Sequence, residues 1–77
     1  MRGKILNIII EMSGCKKEKA LPEARLKEDL GMDKLDQVEF VMALDDEFKI
    51  EISDEEFMGV RTVEDVIELV MRKEGVK

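Results

Sequence analysis

Apolar positions recur every three or four residues over most of this chain, the period of helices rather than strands. Ile5, Leu6, Ile8, Ile9 and Met12 predict a first helix with a broad apolar face that stops near Gly14. Residues 15–33 hold the one proline, Pro22, and no long periodic pattern. Leu21, Leu26 and Leu30 are spaced to pin this stretch onto a core as a long ordered loop with room for a helical turn. A connection of that length in so small a chain is unusual and tends to be functional. A second helix is predicted from Lys34 to Phe48, with Asp33 as N-cap because its carboxylate can accept an orphan backbone N–H. Lys49-Ile50-Glu51-Ile52 alternates and predicts a short extended link. Ser53-Asp54-Glu55-Glu56 is a capping box opening a short third helix that ends at Gly59. Thr62-Val63-Glu64-Asp65 opens the fourth in the same way with Asp in place of Glu, and Val63, Val66, Ile67, Val70 and Met71 form its apolar face. Strand signals are nearly absent. The fold class is therefore all-α: a small four-helix bundle of three main helices plus one short one, with a long first loop.

The 77 residues are expected to form a single unit spanning 1–77. At 44% hydrophobic and 42% charged residues, the composition is too apolar for a disordered chain. Cys15 is the only cysteine and there is no histidine, so no internal disulfide is possible and no metal site is expected. A reduced, cytoplasmic setting follows as the simple expectation. The apolar run near the start is broken by Asn7 and Glu11, unlike a signal peptide. No stretch approaches the roughly 20 apolar residues of a membrane span. A monomer is expected.

Charge is unevenly placed. Glu28 to Glu56 carries twelve acids against Lys34 and Lys49, a local balance of −10 within a net charge of −6. Lys4, Lys16, Lys17 and Lys19 lead a first third in which bases outnumber acids. Nucleic acid is a poor match for the acidic centre, whereas a partner with a basic patch suits it. On a wheel of about 100° per residue, Asp36, Glu39, Ala43, Asp46 and Glu47 share one arc of the second helix. Val38, Val41, Leu44 and Phe48 fall largely opposite, with Leu35 and Met42 at the border beside the acids. This is either an ordinary solvated face or a carboxylate ridge that steers a basic partner onto two apolar contacts. Catalysis finds no support, since there is no placed nucleophile and no histidine, and an enzyme is not expected. Nor do the acids follow EF-hand spacing.

Asp29-Leu30-Gly31-Met32-Asp33, Leu35-Asp36-Gln37-Val38-Glu39, Val41 through Phe48, Ile50-Glu51-Ile52, Asp54-Glu55-Glu56 and Thr62-Val63 together resemble an acyl carrier protein, in order and over nearly the whole chain. The resemblance implies a helical carrier of acyl thioesters on a 4′-phosphopantetheine arm, serving enzymes of fatty-acid or polyketide synthesis. Those enzymes present basic patches to the acidic second helix. By resemblance, the docking residues are Asp33, Leu35, Asp36, Glu39, Met42, Asp46 and Glu47.

The departure lies at the attachment point. The family's arm is joined to a serine in Asp-Ser-Leu, and the corresponding residue is Lys34. A phosphodiester needs a hydroxyl oxygen, and lysine offers a nitrogen that is protonated at neutral pH. Ser53 reads as an N-cap and Ser13 lies near the end of the first helix, so neither substitutes. The expectation is an unmodified, non-loadable form with no cofactor. Two origins fit Lys34: a divergent carrier-like protein that works without the arm, or an introduced substitution that fixes the unmodified state. The alternative function is a regulatory or structural interaction module that reuses the fold.

Overall fold

The computed structural model describes residues 2–75; Met1, Val76 and Lys77, the ends of the expected unit, lie outside the described residues. Four α-helices run in the order α1 (Arg2–Ser13), α2 (Lys34–Phe48), α3 (Asp54–Met58) and α4 (Val63–Glu74), with a 3₁₀ turn at Lys17–Lys19. No strand is present among the described residues; the one β-type feature is an isolated antiparallel bridge between Arg25 and Thr62. The three long helices pack on one another.

The starts of α2, α3 and α4 are each built as a reciprocal cap. Asp33 accepts the Asp36 N–H, and Asp36 in turn accepts the Asp33 N–H. Ser53 and Glu56 repeat the exchange at α3, and Thr62 and Asp65 repeat it at α4. Two orphan donors are satisfied at each end, which removes the cost of starting a helix at the surface. At the far end of α2, Lys49 takes a left-handed conformation (φ 55°) and its N–H reaches the Asp45 carbonyl. The link after α2 thus opens on a helix C-cap, not on the extended residue that alternation suggested.

The core is Ile5 and Ile9 of α1, Phe40 and Leu44 of α2, Val63, Val66, Ile67, Leu69 and Val70 of α4, and Ala24, Leu26, Leu30, Met32 and Ile52 from the connections. Phe40 decides how α2 sits. It is fully buried and meets Phe57 of α3 edge-on, with ring centroids 6.4 Å apart. Residues two apart on a helix lie about 160° apart round its axis. Burying the larger Phe40 therefore turns Val38 outward, where it is 50% exposed. This corrects the expectation that Val38 belongs to the core face, and it moves Leu35 and Met42 from the border to the middle of the solvent face.

The long connection is ordered by what it offers α4. The carbonyls of Ala24 and Pro22 accept the Val63 and Glu64 N–H groups, two of the donors that a helix start leaves unpaired. Leu26 N–H donates to the Arg61 carbonyl at 2.8 Å, and Met32 N–H returns to the Leu26 carbonyl at 2.9 Å. Leu26 and Leu30 are buried as their spacing predicted, but Leu21 is 50% exposed. Leu21 directly precedes Pro22, and the Pro22 carbonyl is committed to the α4 start. The anchoring side chain on that side is instead the small Ala24, with Met32 closing the other end.

α3 buries no residue completely and is held by Phe57 on one side and an ion pair on the other. Lys73 Nζ donates to Glu56 Oε1 at 2.9 Å, while the same oxygen accepts the Ser53 N–H. That backbone bond first, and then Lys73, hold the Glu56 carboxyl down at about 2 from the usual 4.5. Asp65 and Asp29 are lowered as well, each chiefly by a backbone N–H, from Arg61 and Arg25 respectively. A carboxyl depressed by folding stabilises the fold fully above its unfolded value and loses that effect as pH falls through its folded value. The thermal midpoint should therefore fall as pH drops from about 4.5 toward about 2, and Glu56→Gln should make that fall shallower. Urea denaturation of Phe40→Ala should show a loss of about 3–5 kcal/mol.

Candidate functional site

The exposed face of α2 and the loop that leads into it form the candidate site. Gly31 turns the chain with φ 70°, in the left-handed region that a side chain disfavours. Met32 then plugs the core with no exposed area, and its carbonyl accepts a 3.0 Å bond from Gln37 Nε2. Asp33 follows as the cap. These constraints put Lys34 at the first residue of α2, exposed to solvent.

The two carboxylates nearest to Lys34 in sequence are turned to the backbone. Asp33 Oδ1 accepts the Asp36 N–H at 2.8 Å, and Asp36 Oδ2 accepts the Asp33 N–H at 3.2 Å. Among the described residues Lys34 makes no ion pair, like Lys27, Lys49 and Arg61, whereas Arg2, Lys4 and Lys73 each make one and Arg25 makes two. Its ammonium stands at the positive end of the helix dipole, a mildly unfavourable place for a cation.

Beyond Lys34, Leu35, Val38 and Met42 make a stripe at helical spacing, exposed by 67%, 50% and 64%. Glu39 and Asp46 edge one side of it and both are exposed. Lys34 stands at the other side, about 120–140° round the axis from those two acids. The remaining acids named from the sequence point elsewhere. Asp36 is half-buried in the cap, and Glu47 faces α1, where its carboxylate lies 3.4 Å from Lys4 Nζ. Asp45, about 20° from Lys34 round the axis, accepts the Ile52 N–H at 3.1 Å and so ties the α2–α3 link. Val38 is the apolar member that sequence reasoning missed. The signal was available in Phe40, whose size makes it the better core residue of the two.

Hydroxyl groups are few. The chain has only Ser13, Ser53 and Thr62, and no tyrosine. Ser13 Oγ donates to the Ile9 carbonyl at 2.7 Å and accepts the Cys15 N–H. Ser53 and Thr62 cap α3 and α4. Cys15 is a half-buried free thiol packed against the core. No group of three or more metal-ligating side chains occurs among the described residues. A shallow cleft of about 240 Å³ is lined by Lys19, Leu21, Glu23, Ala24 and Asp29, with no residue of α2. Among the described residues no helix is long and apolar enough to cross a membrane.

A capped acidic helix after a long pinned loop, in a bundle of this helix order, is the framework of a carrier domain. A family model described as a phosphopantetheine attachment site matches residues 3–70, and the chain belongs to that family, the acyl carrier proteins.

The cap and the dipole give opposite expectations for neighbouring residues. Asp33→Ala should cost about 1 kcal/mol by urea denaturation. Lys34→Ala should stabilise by about 0.3–1 kcal/mol at low salt, with the gain shrinking as salt is raised.

Proposed function

We propose that this chain is an acyl-carrier-type protein of fatty-acid or polyketide synthesis that docks its enzymes through α2 but does not accept the phosphopantetheine arm. Family membership over residues 3–70 supports the carrier part. The carrying observation for the rest is Lys34, which stands at the first residue of α2, directly after the Asp33 cap. Position 34 corresponds by resemblance to the family's modified serine. The residues present do not fit the arm. Lys34 has no oxygen from which to form a phosphodiester, and all three hydroxyls of the chain are occupied in local backbone bonds.

On this reading the chain is not an enzyme and holds no cofactor of its own. Asp33 and Asp36 build the start of α2, Leu35 and Met42 provide apolar contact, and Glu39 and Asp46 attract cations on the partner. Asp36 and Glu47 contribute charge to the same region while engaged with the cap and with Lys4. The single thiol suits a reducing, cytoplasmic setting, and a net charge of −6 favours a monomer. A second reading is an interaction module that uses the same face on an enzyme outside lipid synthesis. The lost attachment oxygen favours it equally, and failure to bind any synthase would select it.

Intact mass tests the central point. The protein and its Lys34→Ser variant are incubated with coenzyme A and a broad-specificity phosphopantetheinyl transferase. Only the variant should gain the mass of the arm. Mass gained by the parent chain, or by neither, would contradict the assignment of position 34.

A further inference from the structure

We propose that the Lys34 ammonium selects the partner: the exposed face of α2 fits a protein surface that places a carboxylate opposite Lys34 and cations opposite Glu39 and Asp46, and it disfavours wholly cationic docking patches. This rests on the docking reading above and adds the chemistry of the partner at one point of contact.

Three observations carry it. First, the carboxylates nearest to Lys34 in sequence are already engaged. Asp33 and Asp36, its nearest carboxylates in sequence, are spent on each other's backbone N–H groups at 2.8 and 3.2 Å. Among the described residues its ammonium makes no ion pair. What sets it apart from the other unpaired cations, Lys27, Lys49 and Arg61 among them, is its place beside the exposed apolar stripe. Second, the face has polarity across its width. The stripe of Leu35, Val38 and Met42 separates Lys34 on one edge from Glu39 and Asp46 on the other. A partner that excludes water from the stripe brings its own charges close to both edges, where matched signs strengthen and mismatched signs weaken binding. Third, the edges are not equivalent along the helix. Lys34 lies at the first residue of α2, whereas Asp46 is in its last turn. A matching partner is consequently read in one orientation only.

A second copy of this chain is a poorer occupant. Each copy carries a net charge of −6, and α2 lies in its most acidic segment. Apolar contact between three side chains from each copy would have to overcome that repulsion.

The test uses a ketoacyl synthase with a basic docking patch as probe, titrated calorimetrically at low salt with the parent, Lys34→Glu, Glu39→Lys and Asp46→Lys chains. Lys34→Glu should bind about five- to tenfold more tightly than the parent, the size of one charge reversal at a solvated contact. Synthase variants in which each patch Arg or Lys is changed in turn to Glu complete the cycle. At least one should bind the parent more tightly, and that gain should vanish with Lys34→Glu. Glu39→Lys and Asp46→Lys should weaken binding to the unmodified synthase. Binding by Lys34→Glu where the parent gives none supports the proposal as well. If Glu39→Lys and Asp46→Lys weaken binding while Lys34→Glu changes nothing and couples to no patch residue, the selector role is wrong and docking through α2 stands. If no chain binds, or no charge reversal alters binding, the docking reading falls and this proposal with it.

Discussion

Burial of Phe40 is the constraint from which the exposed face of α2 follows. Its ring is enclosed between α2 and α3 and sets the rotation of α2 about its own axis. With Phe40 and Leu44 inward, Leu35, Val38 and Met42 have nowhere to go but solvent. Three exposed aliphatic side chains on one helix cost a small domain apolar burial that it can ill spare. Their exposure in a row, beside exposed acids, is the observation on which the proposed contact role of this face rests. The same ring contact gives the short α3 its apolar anchor, so one residue links the site to the most lightly held element.

Polar constraints act with that packing at the start of α2. The connection is drawn onto α4 by backbone bonds from Val63 and Glu64, and then onto the core by Leu26, Leu30 and Met32. By Asp33 the chain has little freedom left, and the reciprocal cap fixes where the helix begins. Lys34 thus inherits a position prepared by its neighbours. An ammonium is displayed there, at a rigid helix start. The surroundings do little for the cation: the dipole opposes it, and the adjacent carboxylates serve the backbone.

Much of this was legible in the order of residues because the local signals are strong. The bounds of α2, the caps at Ser53 and Thr62 and the burial of Leu26 and Leu30 each rest on short-range chemistry. What escaped depends on tertiary choice. Both Phe40 and Val38 are apolar, and periodicity alone offers two rotations of α2. Size decided between them once Phe57 from α3 was in place to pack on the ring. Leu21 misled because its spacing to Leu26 and Leu30 says nothing of Pro22, whose carbonyl is committed to α4. Glu47 looked like part of the ridge until Lys4 of α1, far away in sequence, was found beside it.

The exposed face on this carrier framework depends on how α2 is turned about its axis. A soluble paramagnetic probe, read on methyl resonances of Leu, Val and Met, measures that directly. The methyls of Leu35, Val38 and Met42 should broaden strongly, while those of Met32 and Leu44 stay sharp. Protection of Val38 and Met42 would mean that α2 buries a different face, and the surface described for this protein would not exist.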